Sequence, residues 1–150
     1  MITIIHDGSM FNDNVEALVD PVNTLGAQGG LAGVFSRKFP VPCAIYKRQC
    51  EEGKVKVGQV LTVLDPDPPH QWLIFFPTKD DWRNPSEYRY IEEGLTSLVT
   101  FIRKKKIPSL SIPALGCGLG GLEWEIVQQM IMDAFTDLPE VTVRLYAPKA

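Results

Sequence analysis

Histidine and cysteine are scarce in this chain, positive charge is not in excess, and no apolar run is long. His6 and His70 stand far apart, and Cys43, Cys50 and Cys117 lack metal-ligand spacing, so neither a metal site nor a cofactor is expected. The odd cysteine count argues against a disulfide framework and for a reducing compartment. A net charge of −3 removes any global drive towards nucleic acid. The single basic cluster, Arg103 with Lys104, Lys105 and Lys106, closes a helical pattern, where cations suit the negative end of the dipole. No apolar stretch nears the roughly 20 residues of a membrane span. Residues 1–5 lack the charged and apolar regions of a signal peptide. No repeat, linker or low-complexity tract divides the chain. One cytoplasmic domain over residues 1–150, away from membranes, is the expectation, and that length suffices for a core.

Glycine, by contrast, is concentrated. Gly116, Gly118, Gly120 and Gly121 follow the apolar run Leu110, Ser111, Ile112 and precede a helical pattern. Glycine costs about 0.5–1 kcal/mol per residue in a regular element. It is retained where the chain turns sharply or a ligand touches the backbone. A glycine turn between strand and helix presents free N–H groups and a helix N-terminus, both suited to phosphate. A second cluster, Gly26, Gly29 and Gly30, follows the apolar residues 15–19 and also precedes a helical stretch. Neither fits the P-loop pattern nor the dinucleotide fingerprint in its usual place. Paired strand–glycine loop–helix units suggest a diphosphate gripped from two sides.

The periodicity predicts strands over 1–5, 15–19, 60–64, 72–76, 109–112 and 141–146. Helices are predicted over 30–38, 44–52, 86–105 and 123–134, the third capped by Ser86. Residues 65–69, with three prolines, read as a loop. Pro77 is expected to end the fourth strand. Strands alternating with helices define an α/β protein with a largely parallel sheet. Ligands of such sheets sit outside the carboxyl ends of the strands, where both glycine loops and residues 77–83 emerge.

Few side chains in those loops can do chemistry. Lys79, directly after a strand, is the candidate catalyst, since a neutral lysine amine serves as nucleophile or base. Most lysines at such positions are simply solvated. Asn23 ends the second strand and can either aim its amide at a sugar hydroxyl or cap a turn. Glu16, within an apolar strand, would need a partner if buried. Trp82 and Trp124 each flank a loop; either can stack on a base or pack against the core. Cys117 has no neighbouring base and reads as a small residue beneath the loop.

These residues carry a resemblance. Pro77, Thr78 and Lys79 with Trp82 and Arg83, the run over residues 112–124, and Val22, Asn23 and Thr24 with Gly26, Leu31, Ala32, Phe35, Phe39 and Pro40 resemble a macrodomain over nearly the whole chain. Within that superfamily the chain is similar to the DarG-type antitoxin macrodomains, which are DNA ADP-ribosyl glycohydrolases allied to terminal ADP-ribose protein glycohydrolases. The resemblance implies a three-layer α/β/α fold with a mixed, largely parallel sheet that binds ADP-ribose. Glu16 would accept from the adenine amine, and Asn23 would lie beside the distal ribose. Thr24, Gly26, Gly29, Gly30, Leu31 and Ala32 would hold the diphosphate together with Gly116, Cys117, Gly118, Leu119, Gly120 and Gly121. Pro77 and Thr78 would flank Lys79, the residue that removes ADP-ribose from thymidine in single-stranded DNA. A DNA ADP-ribosyltransferase toxin is the implied partner. The first glycine loop is one residue shorter than the form common in the group, and Asp20 replaces a more usual Asn. Gly120 stands where protein-directed relatives carry Asp, which favours a DNA substrate. An ADP-ribose reader without turnover, or a hydrolase of ADP-ribosylated protein or small ADP-ribose derivatives, are the alternatives.

Overall fold

Alternating apolar strands and amphipathic helices set the order of elements. The structure is a computed structural model that describes residues 1–66 and 71–149. His70 and positions 67–69 of the expected proline loop lie outside the described residues. The strands are β1 (Ile2–Ile5), β2 (Ala17–Asn23), β3 (Leu61–Leu64), β4 (Trp72–Lys79), β5 (Ser109–Ile112) and β6 (Thr142–Tyr146). The helices are α1 (Gly30–Lys38), α2 (Pro40–Glu51), α3 (Tyr88–Lys105) and α4 (Trp124–Ala134). The strands form one sheet in the order β1-β6-β5-β2-β4-β3, parallel except for β3, which runs antiparallel to β4. Helices cover both faces, giving the expected three layers.

Four elements have ends displaced by two or more residues from the sequence reading. Strand β2 begins at Ala17 and runs to Asn23, and β4 runs past Pro77 to Lys79. Proline cannot donate to a ladder. The ladder from β2 to β5 ends at Leu18, before Pro21, and that from β4 to β3 ends at Phe75, before Pro77. Each proline therefore lies past one neighbour's pairing. Helix α2 starts at Pro40, since proline is pre-organised for the first turn and needs no partner there. Ser86 does not cap α3, which begins at Tyr88; it is buried and its hydroxyl donates to the Thr78 carbonyl.

Two cores flank the sheet. Ala17, Val19, Ile74 and Phe76 pack against Ile91, Leu95, Leu98 and Ile102 of α3 and Val127 and Ile131 of α4. Each such aliphatic side chain contributes about 1.5–3 kcal/mol by leaving water. Helix α3 approaches so closely that a Cβ on Gly94 would fall 2.3 Å from the Phe76 ring. On the other face Leu18, Val22, Leu73 and Phe75 pack against Phe35 of α1 and Tyr46 of α2. The chain leaves β2 towards α1 on this face and leaves β5 towards α4 on the opposite face. Neighbouring strands whose connections depart to opposite faces open a crevice at their carboxyl ends.

Candidate active site at the carboxyl edge of the sheet

A cleft of about 1190 Å³ occupies that crevice. Small-molecule sites commonly measure about 300–1,000 Å³, so there is room for a ligand of nucleotide size and more. Five segments line it, one at or after the end of each parallel strand: His6 and residues 8–11 after β1, residues 21–23 and 27–32 with Val34 and Lys38 at the end of β2 and beyond it, Thr78 with Lys79 and Trp82 at the end of β4, Pro113, Ala114 and residues 116–120 after β5, and 146–149 at the end of β6.

The first glycine loop is built on one side chain. Asn23 is buried, and its Oδ1 accepts the N–H groups of Leu25 at 2.9 Å, Gly26 at 2.9 Å and Ala27 at 3.3 Å. Its Nδ2 donates to the Ala27 carbonyl at 2.9 Å. Asn23 is thus first a loop organiser, with a single amide hydrogen left for a ligand. Beneath it the Tyr46 hydroxyl donates to the Asn23 carbonyl at 2.7 Å. The loop delivers the start of α1 to the cleft. Its cap, Gly29, supplies no side chain, so the N–H groups of Gly30, Leu31 and Ala32 point out unpaired. Unpaired donors at the positive end of a helix make an anion site.

The second loop is organised by backbone alone. The Cys117 N–H donates to the Ala114 carbonyl at 3.1 Å, Gly121 to Gly118 at 3.1 Å and Leu122 to Gly116 at 2.9 Å. Gly120 lies so close to Gly116 that a Cβ there would fall 2.5 Å from the Gly116 oxygen. Among the described residues no backbone carbonyl takes the N–H of Gly118, Leu119 or Gly120. Helix α4, however, does not point its N-terminus into the cleft: Glu123 and Trp124 lie outside the lining. The expectation of two helix termini is corrected to one terminus and one ring of loop N–H groups.

Lys79 closes one end. Its Nζ donates to the Trp82 carbonyl at 3.3 Å. The Thr24 N–H at 3.2 Å and its hydroxyl both donate to the Asp80 carbonyl, tying the lysine segment to the first glycine loop. Asp81 is held by the Arg83 guanidinium, whose hydrogen bonds lower its carboxyl to about 2. Cys117 is held as a thiol: burial pushes it up to about 11, and Sγ donates to the Leu115 carbonyl at 3.4 Å. Among the described lining residues there is no Asp or Glu.

Of the residues assigned to catalysis or to ADP-ribose, twelve line the cleft, Asn23, Gly29, Gly30, Leu31, Ala32, Thr78, Lys79, Gly116, Cys117, Gly118, Leu119 and Gly120, as does Trp82. Five do not. Glu16 precedes β2 at the opposite edge of the sheet and is exposed. Four strand residues, Ala17 to Asp20, separate it from Pro21, the first residue of β2 that lines the cleft, about 16 Å along the strand at roughly 3.3 Å per residue. Thr24, Gly26, Pro77 and Gly121 also lie outside the lining; Thr24, Gly26 and Gly121 make hydrogen bonds that hold the loops. The acid buried in β2 is Asp20 instead, which faces α2 away from the cleft.

Residues 6–11 and 146–149 were not anticipated. Phe11 holds the first of these against α1 through Phe35, with ring centroids 4.8 Å apart. Asp13 anchors it to β5 and β6, accepting from Ser111 at 2.6 Å and Tyr146 at 2.7 Å and pairing with Arg144 at 3.0 Å. The available signal was positional: both segments follow apolar strands that end at the same edge.

The cleft of this α/β/α domain thus offers unpaired backbone N–H groups and, among its described lining residues, no carboxylate, an arrangement that suits an anionic ligand. The chain belongs to the Macro domain family, which it matches over residues 19–131. It is 41% identical over 146 residues to a DNA ADP-ribosyl glycohydrolase of Mycobacterium tuberculosis, covering 94% of this chain and 41% of that protein. The solved macrodomain of Mycobacterium tuberculosis DarG superposes with a TM-score of 0.95 at 39% identity, covering 99% of both chains. A structure of Thermosipho africanus DarTG in complex with ADP-ribose superposes with a TM-score of 0.87 at 36% identity, covering 98% of this chain and 41% of that one. The Thermosipho africanus relative is a DNA ADP-ribosyl transferase-DNA ADP-ribosyl glycohydrolase fusion protein, 37% identical over 159 residues, covering 95% of this chain and 41% of that protein. The chain thus spans about two-fifths of the length of these curated relatives. No described helix is long and apolar enough to cross a membrane.

Proposed function

We propose that this macrodomain binds ADP-ribose in the cleft and hydrolyses the N-glycosidic bond that joins it to thymidine in single-stranded DNA. The diphosphate lies between the start of α1 and the second glycine loop. The distal ribose lies towards Asn23 and Lys79. Lys79 carries the reading: of the lysines in the lining, Lys38, Lys79 and Lys149, it is the one at the end of a central strand, β4, whose neighbour β2 ends on Asn23, where the reacting sugar would stand. In the reaction the bond from the anomeric carbon to the thymine nitrogen breaks, water supplies the oxygen, and a proton returns to the base. A neutral Lys79 amine can attack that carbon first, or the protonated amine can assist the leaving base. Both routes use the same side chain. The fused transferase of the Thermosipho africanus relative supports a DNA ADP-ribosyltransferase as the opposing partner, with both acting beside DNA in the cytoplasm.

Release of ADP-ribose from a modified oligonucleotide, from modified protein and from ADP-ribose 1″-phosphate tests the reading. The wild type is expected to act on the oligonucleotide. Lys79→Ala is expected to lower kcat by about 10²–10⁴-fold. Its affinity for ADP-ribose should stay within about tenfold, or 1.4 kcal/mol, since the lysine acts mainly in the transition state. Binding without release from any substrate would make the domain a reader.

A further inference from the structure

We propose that Trp82 is a stacking platform for a nucleobase of the substrate strand, so that the domain grips DNA by an aromatic face rather than by its phosphates. The inference rests on the reading of the substrate as modified DNA and adds the surface that receives the strand. Trp82 is 55% exposed, and no other described Trp, Tyr or Phe is exposed by as much as half. A large aromatic ring left in water at a cleft mouth is informative in a way that a lone surface leucine is not.

Its setting is built. The Trp82 carbonyl accepts from Lys79 Nζ at 3.3 Å, and both residues line the cleft, so the indole belongs to the residue that the amine facing the reacting carbon touches. The Arg83 guanidinium lies 5.6 Å from the indole centroid. Asp81 in turn grips Arg83: Oδ1 accepts from Nε at 2.8 Å and from the backbone N–H at 3.0 Å, and Oδ2 accepts from the second guanidinium arm. Aspartate, arginine and indole form a braced unit that presents an aromatic face without first having to order it. On this proposal a thymine attached to the sugar at Lys79, or the next base along the strand at roughly 3.4 Å spacing, stacks on that face, which lines the same cleft as Lys79. Trp124, by comparison, is half-buried against the α3/α4 core and lines no cleft.

Charge favours the same conclusion. Arg83 is already paired with Asp81, and the chain carries a net charge of −3, so phosphate attraction is weak. Stacking is indifferent to base identity and carries no counterion release. The strand's contribution to affinity should therefore change little with salt.

Binding decides this separately from turnover. Affinities for ADP-ribose, for unmodified oligothymidylate and, in a Lys79→Ala background, for an ADP-ribosylated oligonucleotide are compared with and without Trp82→Ala. The substitution should weaken both oligonucleotides by about 5- to 100-fold and ADP-ribose by less than about twofold. Trp82→Phe should retain most of the oligonucleotide affinity. Equal losses for oligonucleotide and ADP-ribose, no loss for the oligonucleotides, or a Phe variant as weak as Ala would each overturn the platform. So would oligonucleotide affinity that collapses with salt in the wild type. Failure of the wild type to release ADP-ribose from DNA would instead overturn the glycohydrolase reading, while the platform stands or falls on the binding data.

Discussion

The two glycine loops face each other across one cleft, have similar compositions, and are held by different means. The β2–α1 loop hangs on the amide of Asn23, which takes three N–H groups on one oxygen and then releases the chain into α1. The β5–α4 loop has no such keystone. It folds on backbone hydrogen bonds and on the contact of Gly120 with Gly116 that leaves no space for a side chain. A side chain organises the first, and the lack of one organises the second. Both leave three N–H groups facing the same space, so a diphosphate would meet donors from two sides that are already ordered.

The largest expected effect comes from filling that space. A Cβ on Gly118 would meet nothing within 4 Å, so Gly118→Glu folds without strain and places an anion among the donors. Calorimetry should show ADP-ribose affinity lost by more than about 100-fold, or 2.7 kcal/mol. An unchanged affinity in the folded variant would show that the diphosphate does not pass the second loop.

An intermediate effect tests the contrast between the loops. Asn23→Ala strands the N–H groups of Leu25, Gly26 and Ala27, and leaving buried donors unmade costs about 1–3 kcal/mol. Thermal unfolding should show that loss, with ADP-ribose binding weakened about tenfold or more as the start of α1 loses its position. Cys117→Ala, in the loop held by backbone, should change affinity by less than about threefold. Comparable losses from both substitutions would erase the distinction.

The smallest effect on the cleft concerns the support beneath the first loop. Asp20 is buried, its Oδ1 has no partner, and burial holds its carboxyl well above the usual carboxylate range. The folded protein therefore holds that proton more tightly than the unfolded chain does. Its stability is undiminished below the ordinary carboxylate range and declines as pH rises towards the folded value. Asp20→Asn should match the wild type at low pH and exceed it in Tm by a margin that widens with pH, with ADP-ribose affinity almost unchanged. A Tm difference that stays constant between pH 4 and 8 would mean that Asp20 is charged and partnered.

Glu16 and Asn23 show where sequence reading succeeded and where it stopped. Asn23 sits at the end of a strand before glycines, and both roles considered for it, turn organiser and ligand neighbour, are local properties. Glu16 looked like a buried acid because the strand was read two residues early. The true boundaries depend on where the ladders to β4 and β5 begin, which no local pattern records. Ser86 misled in a related way: the hydroxyl that would cap a helix is taken by the Thr78 carbonyl on the preceding strand, β4, eight residues earlier.

By itself the sequence determined the alternation of strands and helices, the parallel sheet that follows from it, the two glycine loops and the lysine at the end of β4. These are written in periodicity and in residues whose backbone demands are local. Only the tertiary structure decided that residues 6–11 and 146–149 complete the cleft, that α1 and not α4 brings a helix terminus to it, and that Trp82 stands exposed beside Lys79. Each depends on which strands lie side by side and to which face their connections depart. That choice is made by the packing of two cores against one sheet, over sequence separations that local pattern does not span.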